Sequence, residues 1–408
     1  MGSTEKRRKT RWIAAGTMLI YLLIGLEILI MISPFALYFY SVYGPVLNFL
    51  FSSPLTSWTA EFFLPHMVFP ADPLIIAVSY LQLLLPIGLI LFLAAAVPLY
   101  YHRFTRRGIA QGWIYSFNRH PQYLALGIAG LGLLLYWPRF IILFFYIIML
   151  FVYYFLARIE ENRMVREAGD SYRAYLRRTP MFFPGEPGGK IYQKIFGWIR
   201  PKSLGMAVNF LACLALAMAI TLGLRAYTVN SLPLATTERM TLLPAFPHPD
   251  QKLKDLYQLV RSHQEVDRFL EAQPGINLAY IVPRDFFLMA LVTEAAREFP
   301  ESMIERYPEI LEWHKYKFRG GIHKFFKIFS NFIGTIGRKE KELDIERFIF
   351  VRVEDEKGRI VKGENVFDVG MRRHPVLLVD VDAFTGEVLA VEDIAPRHKW
   401  GRMPMPTF

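Results

Sequence analysis

The chain has 408 residues, 53% of them hydrophobic, and a formal net charge of +11 at pH 7. Residues 1–225 carry 21 Lys and Arg against nine Asp and Glu, whereas residues 226–408 carry 26 against 27. The basic residues of the first part lie between long apolar runs, which indicates a membrane partner and argues against nucleic acid. The single cysteine, Cys213, excludes an intrachain disulfide and metal sites built on cysteine spacing, and the scattered histidines predict no metal site.

Apolar runs long enough to cross a bilayer dominate the first part. A hydrocarbon core about 30 Å thick needs about 20 apolar helical residues. About five transmembrane helices are predicted, at residues 12–33, 73–100, 122–137, 140–157 and 204–224. The third and fourth form a hairpin about Pro138. The apolar stretch 34–52 is interpreted as re-entrant, interfacial or an extension of the first span. The predicted fold class is therefore an all-α polytopic membrane bundle followed by a soluble α+β domain.

The positions of Lys and Arg predict how the spans are oriented. Residues 1–11, 101–119 and 158–202 together hold 19 of the 21 Lys and Arg in the first part, while residues 34–72 hold none. Because cytoplasmic loops carry the excess of these residues, we expect the N-terminus to be cytoplasmic. An odd number of spans then places residues 226–408 outside the cytoplasm.

Two features near the predicted spans allow more than one interpretation. Glu27 lies within the first span, either as a functional intramembrane acid or as a bundle-facing Glu hydrogen-bonded to a neighbouring helix. The basic and aromatic stretch 190–202, KIYQKIFGWIRPK, precedes the last span and is a candidate for the membrane surface.

The second part has the patterning of a soluble domain. Residues 250–330 are predicted mainly as helices, and residues 346–393 as strands with one hairpin at a Lys-Gly turn and another at a Thr-Gly turn. Residues 312–329 mix basic and aromatic residues and fit either a surface helix or a helix pair broken at Gly320 and Gly321.

A polar motif stands where the third predicted span begins. Arg119, His120 and Pro121 lead directly into an apolar helix that also carries Tyr123. Pro suits the first turn of a helix, whose free backbone N–H groups can hold an anionic group. Arg119 adds a fixed charge with a fork of donors. The motif therefore predicts a ligand site at the cytoplasmic mouth of the membrane, although an ordinary interfacial helix start has similar residues.

Two adjacent acids, Glu160 and Glu161, lie where the fourth predicted span leaves the membrane. The stretch around them is otherwise rich in Arg, so an exposed basic face does not explain them. The predicted hairpin returns this end of the span to the surface that carries Arg119. An anion-binding helix start beside an acidic pair suits a zwitterionic ligand with an added positive charge.

These residues resemble the membrane-embedded methyltransferases that include isoprenylcysteine carboxyl methyltransferases and phospholipid N-methyltransferases. The first motif of that family is similar to Arg-His-Pro-x-Tyr, matched by residues 119–123. The second begins with two Glu and continues here as Glu160, Glu161, Met164, Gly169, Tyr172, Tyr175, Pro180 and Pro184. Trp113, Ile114, Ala125 and Ala168 depart from the family pattern, which implies a pocket of different shape.

The resemblance implies S-adenosylmethionine bound at the cytoplasmic face. On this interpretation the cofactor-binding residues are His120, Pro121, Tyr123, Glu160 and Glu161, and the catalytic residues are Arg119 and Glu161. The chain would then divide into four parts. Residues 1–72 hold an N-terminal transmembrane helix and its following apolar segment, and residues 73–184 form a methyltransferase-like core. Residues 185–225 hold an interfacial segment and the last span, and residues 226–408 form a soluble domain.

Methyl transfer by in-line displacement needs donor and acceptor held about 3–3.5 Å apart and shielded from water. We expect a lipid or lipidated acceptor that arrives through the bilayer, with either a carboxylate or an amine as its reactive group. One alternative is an NADPH-dependent reductase of sterol-reductase-like fold, although two acids suit a phosphate-rich dinucleotide poorly. The other is a catalytically degenerate scaffold whose outer domain binds a protein partner.

The last strands carry a second, weaker resemblance. Residues 379–393, VDVDAFTGEVLAVED, are similar to the strand-turn-strand ending of PepSY-type domains. A second Arg-His-Pro at 373–375 precedes an apolar strand and has neither a Tyr two places after its Pro nor an acidic partner motif. We interpret this second Arg-His-Pro as a chance occurrence without a functional role.

Overall fold

A computed structural model of the chain describes residues 22, 25–39, 49–50, 53, 55–66, 68–105, 112–273, 275–284, 345–355, 357–361 and 363–393. The stretch 312–329 lies outside the described residues. Contacts divide the chain into two compact units. The first comprises Met1–Phe49 and Ala77–Gly223, and the second comprises Leu50–Ile76 and Leu224–Phe408.

In the described part of the chain up to residue 230, the named elements are helices joined by turns and irregular segments. In chain order they are α1 (Gly25–Phe39), α2 (Pro73–Tyr80), α3 (Leu84–Phe104), α4 (Ile114–Phe117), α5 (Pro121–Tyr136), α6 (Phe140–Arg178), α7 (Pro187–Phe196) and α8 (Lys202–Asn230). Single 3-10 turns lie at Ser57–Ala60 and between α2 and α3 at Leu81–Leu83.

Three of the described helical segments are long and apolar enough to cross a membrane: Pro73–His102, Phe140–Arg178 and Lys202–Asn230. The predicted count of about five spans is not confirmed. The described part of α1 is a shorter apolar helix, and residues 12–21 of its predicted span lie outside the described residues. Helix α5 has 16 residues, which is about 24 Å and less than the hydrocarbon thickness. Most of its side chains are buried, so protein rather than lipid surrounds it.

Helices α3 and α5 approach each other closely through glycines. A Cβ added at Gly88 would lie 2.3 Å from the backbone nitrogen of Ala129, and one at Gly132 would lie 2.1 Å from that of Leu85. Small residues allow such backbone contact between membrane helices. Ala125, one of the departures from the family pattern, also lies in this contact, and Gly88 leaves the room for it.

Replacing Gly88 with alanine is expected to destabilise the first unit by about 1–3 kcal/mol, because the methyl group would meet backbone rather than a movable side chain. The thermal unfolding midpoint in detergent measures this. Gly223→Ala in α8 is the matched control, since a Cβ there meets nothing within 4 Å. Equal midpoints for the two variants would contradict the close packing of α3 on α5.

Helix α6 extends beyond the thickness of a membrane. Its residues 140–168, which precede a kink at Gly169, measure about 43 Å and already exceed the hydrocarbon core. Glu160 lies about 30 Å along the helix from Phe140, which places the acidic pair close to the far edge of that core. Gly169 interrupts the helical geometry with φ 56° and ψ −129°, a conformation open to glycine.

The second unit contains a sheet whose described strands follow chain order. They are β1 (Ala235–Thr236), β2 (Thr241–Pro244), β3 (Ile276–Pro283), β4 (Ile345–Glu354), β5 (Arg372–Asp382) and β6 (Val388–Asp393). Strands β2 and β3 are parallel, and the other neighbours are antiparallel. Helices α9 (Asp250–Ser262) and α10 (Gln264–Ala272) precede β3. A mixed helix-and-sheet domain at the C-terminal end is therefore confirmed.

Both faces of this sheet are buried. Alternate residues such as Phe348 and Phe350 pack with α9 and α10, whereas Ile349 and Val351 pack in a second core. The predicted Thr-Gly hairpin is β5 with β6, and Gly386 takes φ 78° in its turn. At the predicted Lys-Gly turn the return strand is reduced to a single bridge between Glu354 and Ile360, because β4 pairs with β3 and β5 instead.

A buried carboxylate connects distant segments within the second unit. Glu61 is 3% exposed, and its Oε1 accepts a hydrogen bond of 2.6 Å from the backbone N–H of Gly370. Its Oε2 lies 3.5 Å from Nη2 of Arg225 and 3.6 Å from Nη1 of Arg373. Arg373 belongs to the second Arg-His-Pro, which lies within β5.

Candidate functional site

The start of α5 is fixed by backbone hydrogen bonds to a segment beyond α6. Arg119 donates its N–H to the carbonyl of Pro180 at 2.9 Å, and His120 donates to that of Met181 at 3.3 Å. His120 is the N-cap residue of α5, and Pro121 occupies its first turn. The first predicted motif is thereby held against the last part of the second predicted motif, which includes Pro180.

The Arg119 side chain is buried and extensively bonded. It is 8% exposed, and its Nε donates to Oε1 of Glu161 at 2.7 Å. Nη1 donates to the carbonyls of Leu176, at 3.0 Å, and Thr179, and Nη2 donates to Oε1 of Glu186 at 3.3 Å. The fork of Arg donors therefore fastens the end of α6 and the following loop to the start of α5.

His120 lies between the two acids. Its Nδ1 is 3.4 Å from Oε2 of Glu160, and its Nε2 is 3.5 Å from Oε1 of Glu161. Burial lowers the pKa of the imidazole, but the contacts and charges of Glu160 and Glu161 outweigh it, so the pKa lies above its usual value. His120 is thus favoured in its charged form beside these carboxylates.

The two acids differ in exposure because of their positions on α6. Met149, Tyr153, Ala157 and Glu161 are buried at four-residue spacing, so Glu161 continues the inward face of the helix. Its side chain is 4% exposed, and Arg158 adds a third cationic partner at 3.5 Å. The Glu160 side chain, one position away, is 32% exposed. Glu161 therefore faces the protein and Glu160 faces a more open region.

Aromatic rings form a wall beside His120. The Tyr123 ring stacks on His120 at 5.7 Å between centroids and on Tyr153 at 5.0 Å. Phe182 lies 6.1 Å from His120 in a tilted arrangement. The wall combines residues from α5, α6 and the loop after α6.

A second set of buried hydrogen bonds supports the site from α4. The Tyr115 hydroxyl donates to the carbonyl of Ala95 at 3.1 Å, and the Tyr175 hydroxyl donates to the carbonyl of Tyr115 at 2.6 Å. Burial raises the pKa of Tyr115, first among causes that include the charge of Glu160. Tyr115 therefore stays protonated as a donor in the physiological range.

All the residues selected from the sequence lie at this place: Arg119, His120, Pro121, Tyr123, Glu160 and Glu161. Sequence reasoning missed three contributors. Tyr153 precedes Glu160 by seven residues, a spacing that shares a helix face, and could have been found. Glu186 is an isolated acid in a basic stretch, which is a weak signal of a site residue. No sequence signal marks Phe182.

A surface pocket of about 450 Å³ lies elsewhere, in the second unit. Its lining includes Arg239, Lys254, Tyr257 and Arg261. Arg239 and Arg261 each lie 2.7 Å from Glu271, so much of the positive charge of this pocket is compensated. It has no residue in common with the two motifs.

Comparison with known proteins connects the motifs to one family. Residues 76–170 match the family model described as phospholipid methyltransferase, which confirms the resemblance to membrane methyltransferases over that segment. The match includes residues 119–123 and the acidic pair and ends before Glu186. No curated protein and no solved structure matches the chain. The PepSY-type resemblance of residues 379–393 is not confirmed.

Proposed function

Because residues 76–170 are similar to the phospholipid methyltransferase family, we propose that the protein is an integral membrane methyltransferase. It transfers a methyl group from S-adenosylmethionine to a lipid, lipidated or other membrane-delivered acceptor. The observation that carries this proposal is the meeting of the two motifs, about 40 residues apart in the chain, around His120. The apolar helices beside them support an acceptor supplied by the bilayer.

The residues at the site fit S-adenosylmethionine chemically. Nδ1 and Nε2 of His120 and Oε2 of Glu160 are buried atoms without a well-aligned hydrogen bond in the described part of the chain. Buried polar atoms of this kind call for a partner. Glu160, whose side chain is 32% exposed, suits a ligand ammonium or hydroxyl group, and charged His120 orients both carboxylates. Phe182, half-buried beside His120, offers an aromatic surface to an adenine ring, and the buried stack of His120 on Tyr123 supports it.

The chain's own residues divide into two roles. Arg119 and Glu161 were predicted to be catalytic, and we propose positioning roles for them instead. Arg119 donates to Glu161, Glu186 and two backbone carbonyls and so keeps α5 and α6 in register. The charge of Glu161 is compensated by Arg119, His120 and Arg158, and Glu161 orients His120. Glu160 remains as the more open acid for a ligand.

S-adenosylmethionine supplies an electrophilic methyl group when bound, and this needs no metal or enzyme nucleophile. The buried site excludes water and holds the reacting groups together. With an amine acceptor a proton must leave, and Glu160 is placed to accept it. With a carboxylate acceptor no proton moves, and Glu160 serves only in binding.

We further propose that the N-terminus and the two motifs lie at the cytoplasmic face, as the basic segments favour, and that residues 226–408 lie outside the cytoplasm, which follows from an odd number of spans. Neither alternative function is favoured. The match to a methyltransferase family and the acidic pair do not favour a nicotinamide-dependent reductase. The same match does not favour a non-catalytic scaffold.

Binding of S-adenosylmethionine to the detergent-purified protein tests the proposal. His120→Ala and Glu160→Gln are each expected to weaken binding about 10–100-fold, the effect of losing one charge-assisted hydrogen bond worth about 1.5–3 kcal/mol. Isothermal titration calorimetry measures the Kd. Glu167→Gln is the matched control, since this acid lies on the same helix with its side chain 61% exposed.

The outcomes separate the functions. Unchanged affinity in both site variants would refute the site. Tighter binding of NADPH than of S-adenosylmethionine would support the reductase, and binding of neither would support the scaffold. Incubation with labelled S-adenosylmethionine and membrane lipids, followed by identification of the labelled product, reveals the acceptor.

A further inference from the structure

Helix α7 has an apolar stripe on its outer side. Ile191 and Ile195 lie one helical turn apart on α7, Trp198 lies in the turn just after the helix, and the three are 56%, 52% and 78% exposed. Three large apolar side chains on this helix and its following turn form a surface that water solvates poorly. This stripe is separate from the site around His120.

An adjoining face of the same helix is used for packing. The rings of Tyr192 and Phe196 lie 6.1 Å apart, and both are partly buried. A Cβ added at Gly205, in the first turn of α8, would lie 2.9 Å from the Tyr192 hydroxyl. Packing against α8 therefore fixes which face of α7 points outward.

Positive charge borders the outward stripe. Lys190 and Lys194 are exposed and lie one helical turn apart. On a helical projection they fall beside Ile191 and Ile195, away from the packed face. Arg200 and Lys202 continue the positive charge towards α8, and both are exposed.

The position of α7 in the chain explains this arrangement. It lies between α6 and α8, two helices long and apolar enough to cross a membrane. Its ten residues measure about 15 Å, too short to cross the hydrocarbon core. Its N-cap residue is Glu186, whose carboxylate also accepts from Arg119 and from the N–H of Met181, so the helix is tied to the candidate site.

We propose that α7 lies in the plane of the membrane surface and binds anionic phospholipid, with Ile191, Ile195 and Trp198 immersed and Lys190 and Lys194 against the headgroup phosphates. Short amphipathic helices with apolar residues on one face and lysines beside them bind such surfaces. The lysines provide the attraction specific to anionic lipid.

Site-directed spin labelling of the full-length protein in nanodiscs tests this proposal. In a Cys213→Ser background, a nitroxide is attached at Ile195→Cys on the stripe or at Gln193→Cys on another side of α7. The label at 195 is expected to collide with oxygen more than with a water-soluble nickel complex. The label at 193, an exposed position used as the matched control, is expected to show the reverse.

Lipid charge is the second variable. The label at 195 is expected to lie deeper in nanodiscs containing phosphatidylglycerol than in phosphatidylcholine alone. Lys190→Gln with Lys194→Gln should abolish that difference, whereas Lys357→Gln, an exposed lysine of the second unit, should leave it unchanged. These readouts need no S-adenosylmethionine, so they succeed or fail independently of the proposed activity.

Three results would overturn the proposal. Equal nickel exposure of both labels would show that the stripe faces water. If the label at 195 lay equally deep in nanodiscs with and without phosphatidylglycerol, anionic lipid would not be the partner. Dipolar broadening between labels at 195 would show that a second copy of the chain covers the stripe instead.

Discussion

Replacing Arg119 with alanine is expected to abolish cofactor binding and to lower the free energy of unfolding of the first unit by about 3–5 kcal/mol, the cost of breaking a buried ion pair. The side chain is 8% exposed and bonds to Glu161, Glu186 and the carbonyls of Leu176 and Thr179. Its removal leaves a largely buried carboxylate with weaker partners and two carbonyls without their donor.

Arg119→Lys separates charge from geometry. Lysine keeps the positive charge but is a point charge without the planar fork, so it cannot reach all four acceptors together. We expect an intermediate loss of stability and a loss of S-adenosylmethionine affinity close to that of the alanine variant, because His120 and the acidic pair depend on the register that Arg119 fixes.

Thermal unfolding in detergent and calorimetric titration measure the two effects. Arg158→Ala is the matched control, since Arg158 contacts the same Glu161 carboxylate at 3.5 Å but is 54% exposed. An exposed pair of this kind contributes about 0–1 kcal/mol. Wild-type stability and affinity in Arg119→Lys would contradict the positioning role.

The motifs themselves could be predicted because each is local in sequence. Pro121 marks the start of an apolar helix, and the acidic pair stands at the end of another, so the sequence alone brings both to one membrane surface. The full set of hydrogen-bond acceptors around the Arg119 side chain could not be predicted in this way. Its acceptors at Leu176, Thr179 and Glu186 lie 57 to 67 residues further along the chain and depend on the return of the loop after α6.

The predicted span at 122–137 is not confirmed, because its helix has only 16 residues and most of its side chains are buried. A hydropathy pattern does not distinguish burial in lipid from burial among helices. Strand β3 lies within residues 250–330, which the sequence predicts mainly as helices. All eight of its residues are buried, so its sequence INLAYIVP lacks the alternation that marks a half-exposed strand.

The second unit provides the other large expected effect. Glu61→Gln is expected to destabilise that unit by about 3–5 kcal/mol, because it removes the charge that Arg225 and Arg373 share in a buried setting. The amide keeps the size of the side chain and can still accept from Gly370, so the variant tests charge rather than packing. Arg225 and Arg373 are 4% and 7% exposed, and two guanidinium groups there repel each other once the carboxylate is neutral.

Glu271→Gln is the matched control for Glu61→Gln. Glu271 also contacts two arginines, Arg239 and Arg261, each at 2.7 Å, but its side chain is 53% exposed. Solvent screens that cluster, so its loss should cost about 1 kcal/mol or less. Hydrogen exchange of the β5 amides reports on the second unit: it should quicken strongly in Glu61→Gln and little in Glu271→Gln. Equal exchange in both variants would mean that the buried carboxylate contributes no more than an exposed one, against the cost expected of an uncompensated buried charge.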